Sequence, residues 1–296
     1  NAAMLLASLL AASSSNHSRQ LNWLPCVEAG RCGTSVSILP DHELIHYRGY
    51  VTLDRSQQKA RFDRAPFGEG SVLQLISPAA SIRFRTNAHR VIVVLEYRGK
   101  KACDADCPLV RTRPASSKGL LDWGGCYAAK PCPNQCDVQL EIDGQPASGS
   151  WTNLVDLPLT GEDARLDFLG EVKLHAYEQE QPSPRTLTLR LPWGAPVDLK
   201  RILLETLPAE LTPPQLLPLP PPPTVKLVAM GDSITAGWCD LSTGGAYPRQ
   251  LAEAHGWDHT NLGVAGAGIV AAHGTAAGRL KADLLTVMLG VEEWQG

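Results

Sequence analysis

Polar and apolar residues follow two different rhythms along this chain. In its first two thirds the period is two. Ser81-Ile82-Arg83-Phe84-Arg85 alternates as a strand does when one face is buried. Val91-Ile92-Val93-Val94-Leu95 is an unbroken apolar, mostly β-branched run, the pattern of a strand covered on both faces. Val138-Gln139-Leu140-Glu141-Ile142 alternates again and ends in Asp143-Gly144, a turn signal. Leu187-Thr188-Leu189-Arg190-Leu191 alternates and stops at Pro192. Short strands punctuated by Gly, Pro and Asn, with almost no helical periodicity from about Val36 to Glu205, predict an antiparallel β-sandwich.

The rhythm changes after LTPPQLLPLPPPPT, Leu211 to Thr224. So dense a proline run reads as an extended polyproline-II spacer, and a domain linker is preferred to an SH3 ligand for its PxxP patterns. Beyond it, Lys226–Met230 is a short apolar strand. Tyr247-Pro248 opens a helix with Leu251, Ala252 and His255 at helical spacing and Gly256 as its stop. Thr260–Val264 is a second strand, Ala271–Leu280 a helix and Leu284–Leu289 a third strand. Strands alternating with helices predict a parallel sheet with crossover helices, whose working residues sit at the carboxyl ends of the strands. Ser233 lies just past the end of the first.

A length of 296 residues suits two domains. The expected division is a signal-like apolar segment over 1–35, a β-sandwich over 36–206 with a Cys-rich insert at 101–136, a proline-rich linker over 207–224, and an α/β part over 225–296. Apolar residues make up 44% and charged residues 19%, as in a globular protein, and a formal net charge of -3 leaves no electrostatic footprint for nucleic acid and no polybasic membrane patch. The eight cysteines are Cys26, Cys32, Cys103, Cys107, Cys126, Cys132, Cys136 and Cys239. Their even count and clustering fit disulfides in an oxidising compartment, while the x3 spacings Cys103–Cys107 and Cys132–Cys136 leave zinc as the rival reading. Ala2–Ala12 has the length of a signal-peptide apolar core and is too short to span a bilayer, although a basic start is missing and a short buried helix is the plainer alternative. Asn16-His17-Ser18 is a glycosylation sequon. Together these predict a secreted protein without a membrane span. In the insert, Trp123 could stack on a sugar or form the small core of its loop.

Candidate chemistry centres on VAMGDSITAG, Val228 to Gly237. A serine hydroxyl is a weak nucleophile until a base takes its proton, and the oxyanion it creates needs preorganised donors. The turn after a parallel strand exposes the side chain and aims backbone N–H groups at one point. Gly231 permits a tight turn there, and Asp232 can bond its own backbone.

The pattern Gly231-Asp232-Ser233-Ile234-Thr235-Ala236-Gly237, then Asn261-Leu262-Gly263-Val264-Ala265-Gly266, then Gly290-Val291-Glu292-Glu293-Trp294 resembles the three blocks of the SGNH/GDSL hydrolases. A leading β-sandwich with VQLEIDG and VDLKRILLE resembles the two-domain carbohydrate esterase family 2, a jelly roll followed by an SGNH domain. The resemblance implies a flavodoxin-like α/β/α hydrolase domain, here C-terminally partial. It implies Ser233 as nucleophile, Asp232 as loop support, and the N–H groups of Ser233 and Gly266 as oxyanion donors. The expected reaction is hydrolysis of acyl, above all acetyl, esters of carbohydrate, with no metal and no organic cofactor.

Two departures stand beside it. Glu292 occupies the position of the family's oxyanion-hole Asn, and an ionised Glu offers no donor. The family's base is a His in a late Asp-x-x-His block, and the 296 residues contain no such block. Among the histidines His273 is the nearest substitute, with a helix-surface position as its plainer reading. The expectation is that the chain is a fragment or that another polypeptide completes the sheet. The second functional reading is a catalytically inactive extracellular component of a larger assembly, structural or carbohydrate-binding.

Overall fold

The computed structural model describes residues 33–50, 52–63, 78–97, 137–147, 152–153, 170–178, 183–191, 197–208, 212–237, 245–264 and 271–288. The expected N-terminal leader, the sequon, the Cys-rich insert with Trp123, Cys239, Gly266 and Glu292 lie outside these residues.

Two antiparallel sheets fill the first part. One runs β10(Gly170–Glu178)-β6(Arg90–Tyr97)-β12(Val197–Glu205)-β4(Ala60–Asp63)-β3(Thr52–Arg55), with β1(Ser35–Ile38) also on β12. The other runs β13(Leu216–Leu217)-β5(Ser81–Thr86)-β11(Arg185–Arg190)-β7(Asp137–Ile142)-β8(Gln145–Pro146), with β2(His46–Arg48) on β5 and β9(Thr152–Asn153) on β7. Their inner faces share one core, in which Phe62, Val91, Val93, Leu95, Leu199 and Ile202 of the first sheet meet Ile82, Phe84, Leu140, Leu187 and Leu189 of the second. The period-two residues of the sequence are the ones that point inward. As the unbroken run predicts, Val91–Leu95 is buried throughout.

Two local features hold the register. In β12 the pairing passes from Leu199↔Leu95 to Arg201↔Val94, so Lys200 is an extra residue. This bulge moves the inward set from Val197 and Leu199 to Ile202 and Leu204 and leaves Lys200 on Glu96 at 3.1 Å. Between β7 and β8, Asp143 (φ 50°) and Gly144 (φ 81°) form a two-residue turn with both residues left-handed, the geometry that Asp-Gly favours.

The proline-rich segment is more than a spacer. Leu216 and Leu217 form β13 on β5, Gln215 N–H donates to Asn87 Oδ1 at 3.0 Å, and Thr86 Oγ1 donates to the Gln215 carbonyl at 2.9 Å. Within the expected linker over 207–224, this pairing has a physical reason. Pro213, Pro214 and Pro218 flank the leucine pair rather than interrupt it, so both leucines keep the N–H an edge strand needs, and Leu216 reaches the core. Pro220, Pro221 and Pro222 are exposed.

The second rhythm yields a three-stranded parallel sheet, β15(Asp258–Gly263)-β14(Lys226–Gly231)-β16(Leu284–Met288). Around it lie α1(Ser233–Ala236), α2(Tyr247–His255) and α3(Ala271–Arg279). As the sequence predicts, Pro248 opens α2 and Gly256 (φ 66°) caps it. Strand β15 starts at Asp258, earlier than Thr260. Among the described residues β16 is at the edge of this sheet, with Leu285 52% and Val287 54% exposed.

Strand β15 and α2 pack over the outer face of the sheet containing β5, β7 and β11, and the contact is ionic. Glu141 accepts from Arg190 Nε at 2.7 Å and Nη2 at 2.8 Å, and from Arg249 Nη2 at 2.6 Å. Glu253 accepts from Arg190 Nη2 at 2.5 Å and from Arg249 Nε at 2.8 Å. The two arginines and two glutamates thus form a closed ring, with the Glu141 and Arg190 side chains only 3% and 6% exposed.

Candidate active site

The candidate site grows from the end of β14, the central strand of the parallel sheet. Gly231 ends the strand, and Ser233 opens the single turn α1 with its residue half-buried. Asp232 between them is 1% exposed, and its Oδ1 accepts from Ile234 N–H at 2.9 Å. That bond caps the turn, as an Asp before a helix does. Ala236 N–H donates to the Asp232 carbonyl at 3.0 Å, and Gly237 (φ 75°) closes the turn with its N–H on the Ile234 carbonyl at 3.1 Å.

Glycine is required here for closeness. A Cβ on Gly231 would run into the Thr235 side chain and the Met288 carbonyl oxygen, and one on Gly263 into the backbone of Thr235 and Ala236. The ends of β14, β15 and β16 therefore crowd around the serine turn because these positions carry no side chain. Val264 N–H donates to the Gly231 carbonyl at 3.0 Å, which ties the end of β15 to the residue before the turn.

Asn261 is the residue whose role the sequence left unassigned. It is 1% exposed. Its Nδ2 donates to the Thr235 carbonyl at 2.6 Å, and its Oδ1 accepts from Gly263 N–H at 2.8 Å. One buried amide thereby joins the second sequence block to the serine turn. The available signal was an amide in the middle of the buried run Thr260–Val264, where an unsatisfied polar group costs stability and so implies a partner.

The histidines are placed as follows. His273 is 1% exposed in α3, so the expected helix-surface position is corrected: it lies on the face of α3 that carries the buried Ala276 and Ala277. His259 on β15 is 6% exposed, and burial, then the nearby Arg190, Arg249 and Arg48, push its pKa down to about 3. It is neutral at neutral pH. His255 stacks on Trp257 with ring centroids 4.5 Å apart. Among the described residues no hydrogen bond joins the Ser233 hydroxyl to a histidine. No group of His, Cys, Asp and Glu among them stands close enough together to hold a metal ion, and no helix among them is long and apolar enough to cross a membrane.

A serine at the mouth of the central parallel strand, on a capped turn packed against a glycine-bearing neighbour strand, is the arrangement the block pattern implied. Residues 229–293 match the GDSL-like lipase/acylhydrolase family. The GDSL-like segment thus contains the serine turn, Asn261 and β16. Similar solved structures extend the likeness to most of the chain. The salicylyl-acyltransferase SsfX3 from a tetracycline biosynthetic pathway is 18% identical over 88% of this chain and 63% of its own, with a TM-score of 0.56. A candidate GDSL-like lipase from Bacteroides ovatus is 15% identical over 86% of this chain and 64% of its own, with a TM-score of 0.57. A family two carbohydrate esterase from Cellvibrio japonicus is 14% identical over 88% of this chain and 69% of its own, with a TM-score of 0.54. At such identities the likeness is one of fold. The chain spans less than two thirds of the length of the first two structures. No curated protein matches it in sequence.

Proposed function

We propose that the protein is an SGNH-type serine esterase acting on acyl, above all acetyl, esters of carbohydrate, built as a jelly-roll domain over 36–206 followed by a hydrolase domain from 225. The observation that carries this reading is Ser233 on its capped turn at the end of the central strand, inside the segment that matches the GDSL-like family. The carbohydrate preference rests on the likeness to the family two carbohydrate esterase.

In the proposed reaction the Ser233 oxygen attacks the acyl carbonyl. The N–H groups of Ser233 and Gly266 hold the oxyanion, the sugar alkoxide leaves, and water releases the acid from the acyl-serine. Asp232 keeps the turn in place. The step needs a base for the serine proton, and the Asp-x-x-His block that supplies one in the resembled family is not among the 296 residues. Turnover by these residues is therefore expected to be slow. The cysteines and the sequon support a secreted setting, with no nucleic-acid partner.

A second reading rests on Glu292. A carboxylate in place of an amide donor sets negative charge where the oxyanion must form, and losing one such donor costs roughly 10²–10³ in rate. On that reading the protein is a non-catalytic carbohydrate-binding or structural component of an extracellular assembly. Incubation with p-nitrophenyl acetate followed by peptide mass mapping separates the two. The esterase reading expects an acetyl group on the Ser233 peptide and slow p-nitrophenol release, both lost in Ser233→Ala. Release that survives Ser233→Ala refutes it, and a complete absence of acylation assigns the chain to the second reading.

A further inference from the structure

The ionic contact beneath β15 carries more positive charge than its glutamates balance. Cross-strand register sets two polar rows on the outer face of the second sheet: His46, Arg83, Thr188 and Glu141 in one, Arg48, Ser81, Arg190 and Gln139 in the next. The ring of Glu141, Arg190, Glu253 and Arg249 sets two positive charges against two negative. Arg48 and Arg83 stand outside it. They are diagonal neighbours on the paired strands β2 and β5, a spacing of roughly 7–8 Å that long side chains readily bridge.

Arg48 Nη2 and Arg83 Nε are buried without a hydrogen-bond partner. A guanidinium cannot shed its proton, so burial leaves it charged and in need of an acceptor. Glu141 attracts Arg83 electrostatically, but its oxygens accept from Arg190 and Arg249, and the other titratable groups facing this corner supply no acceptor. His46 is held below its ordinary pKa by burial and by Arg48 and Arg83, and His259 is neutral for the reason already given. Arg85 lies one row further along β5, beside Arg185 and Asp143, whose carboxylate is taken by Arg185 and by Thr186 N–H. Both Arg48 and Arg83 are only half-buried as residues, so the corner is open to solvent at its rim.

We propose that Arg48 and Arg83 form a binding site for a doubly charged tetrahedral oxyanion, a phosphate or sulfate group, at the contact between the antiparallel sheet and β15. Two guanidinium groups, each with a buried nitrogen that lacks an acceptor, match two negative charges. The oxygens of a tetrahedral ion also point in several directions, as donors arriving from two different strands require. The site is separate from the serine turn: His259 lies at the start of β15, whereas Gly263 beside the serine turn lies at its end.

The test is thermal melting of the full chain, with calorimetric titration, in sodium phosphate against sodium chloride at equal ionic strength. Arg48→Gln and Arg83→Gln are measured singly and together. The expected result is a saturable rise in melting temperature with phosphate but not chloride. The apparent Kd should weaken by about tenfold in each single variant, as charge-assisted bonds are lost. In phosphate-free buffer both variants should melt at or above the parent, because each relieves the repulsion between Arg48 and Arg83. Inorganic phosphate alone giving the full shift assigns a free ion, and a shift seen only with glucose 6-phosphate assigns a group carried on a sugar. An equal response to chloride, an unchanged phosphate response in the double variant, or variants destabilised equally in both buffers would each overturn the site.

Discussion

Replacing Glu141 by Gln perturbs the ring between β7 and α2 at its most buried member. The glutamate accepts three charge-assisted bonds, at 2.7 and 2.8 Å from Arg190 and 2.6 Å from Arg249, with its side chain 3% exposed. Gln keeps the volume but loses the charge and offers one acceptor oxygen. Arg190 and Arg249, 6% and 12% exposed, then keep Glu253 as their shared carboxylate. Breaking a buried pair by removing one partner costs about 3–5 kcal/mol. Glu253 is 45% exposed and still holds both arginines, so about 3 kcal/mol is expected. At roughly 2–4 °C per kcal/mol for a large domain, the melting temperature should fall by roughly 6–12 °C. The assay is urea unfolding of parent and variant followed by tryptophan fluorescence, repeated in 1 M NaCl. A buried ring is weakly screened, so the difference should persist at high salt. A double-mutant cycle with Arg249→Met should give a coupling above about 1 kcal/mol. A Glu141→Gln cost under about 0.5 kcal/mol, or one that vanishes in 1 M NaCl, would refute the claim that this contact is a buried latch.

The remaining predictions concern pH and the serine turn. His259 has a folded pKa near 3 against 6.5 when unfolded, so below pH 6.5 the unfolded chain binds a proton that the folded chain refuses. Stability is therefore full above pH 6.5 and falls as the pH drops toward 3, by about 2 kcal/mol at pH 5, and His259→Gln should remove that share of the slope in urea titrations at pH 7 and pH 5. Gly263→Ala should cost about 1–3 kcal/mol, since its Cβ meets the backbone of Thr235 and Ala236; a variant as stable as the parent would show that the turn is loosely held. Asn261→Ala removes the bonds to the Thr235 carbonyl and the Gly263 N–H and should cost about 1–3 kcal/mol, whereas Asp232→Ala, which removes the cap, should cost about 1 kcal/mol by thermal melting.

How far the sequence carried can be argued residue by residue. Strand positions were readable where burial has a period, as at Ile82 and Phe84, because which face meets the core is a local property of the pleat. The serine turn was readable because its constraints are also local: Gly231 for closeness, Asp232 for the cap, Ser233 for chemistry. The ionic ring was not. Glu141 and Arg190 sit at outward positions of alternating strands, where a charge ordinarily means solvent, and nothing in either strand announces that α2, more than fifty residues later, will cover them. Leu216-Leu217 was hidden in the same way, since proline composition overrode a two-residue pairing signal that only the edge of β5 makes meaningful. His273 was misplaced because a helix rich in Ala and Gly has too weak an apolar stripe to show which side faces inward. What the sequence withheld, then, is pairing between elements distant along the chain. The charges that first read as solvated faces are therefore where the unassigned chemistry lies: the rows that bury Glu141 and Arg190 also carry Arg83 and Arg48, and these two have no acceptor in the ring.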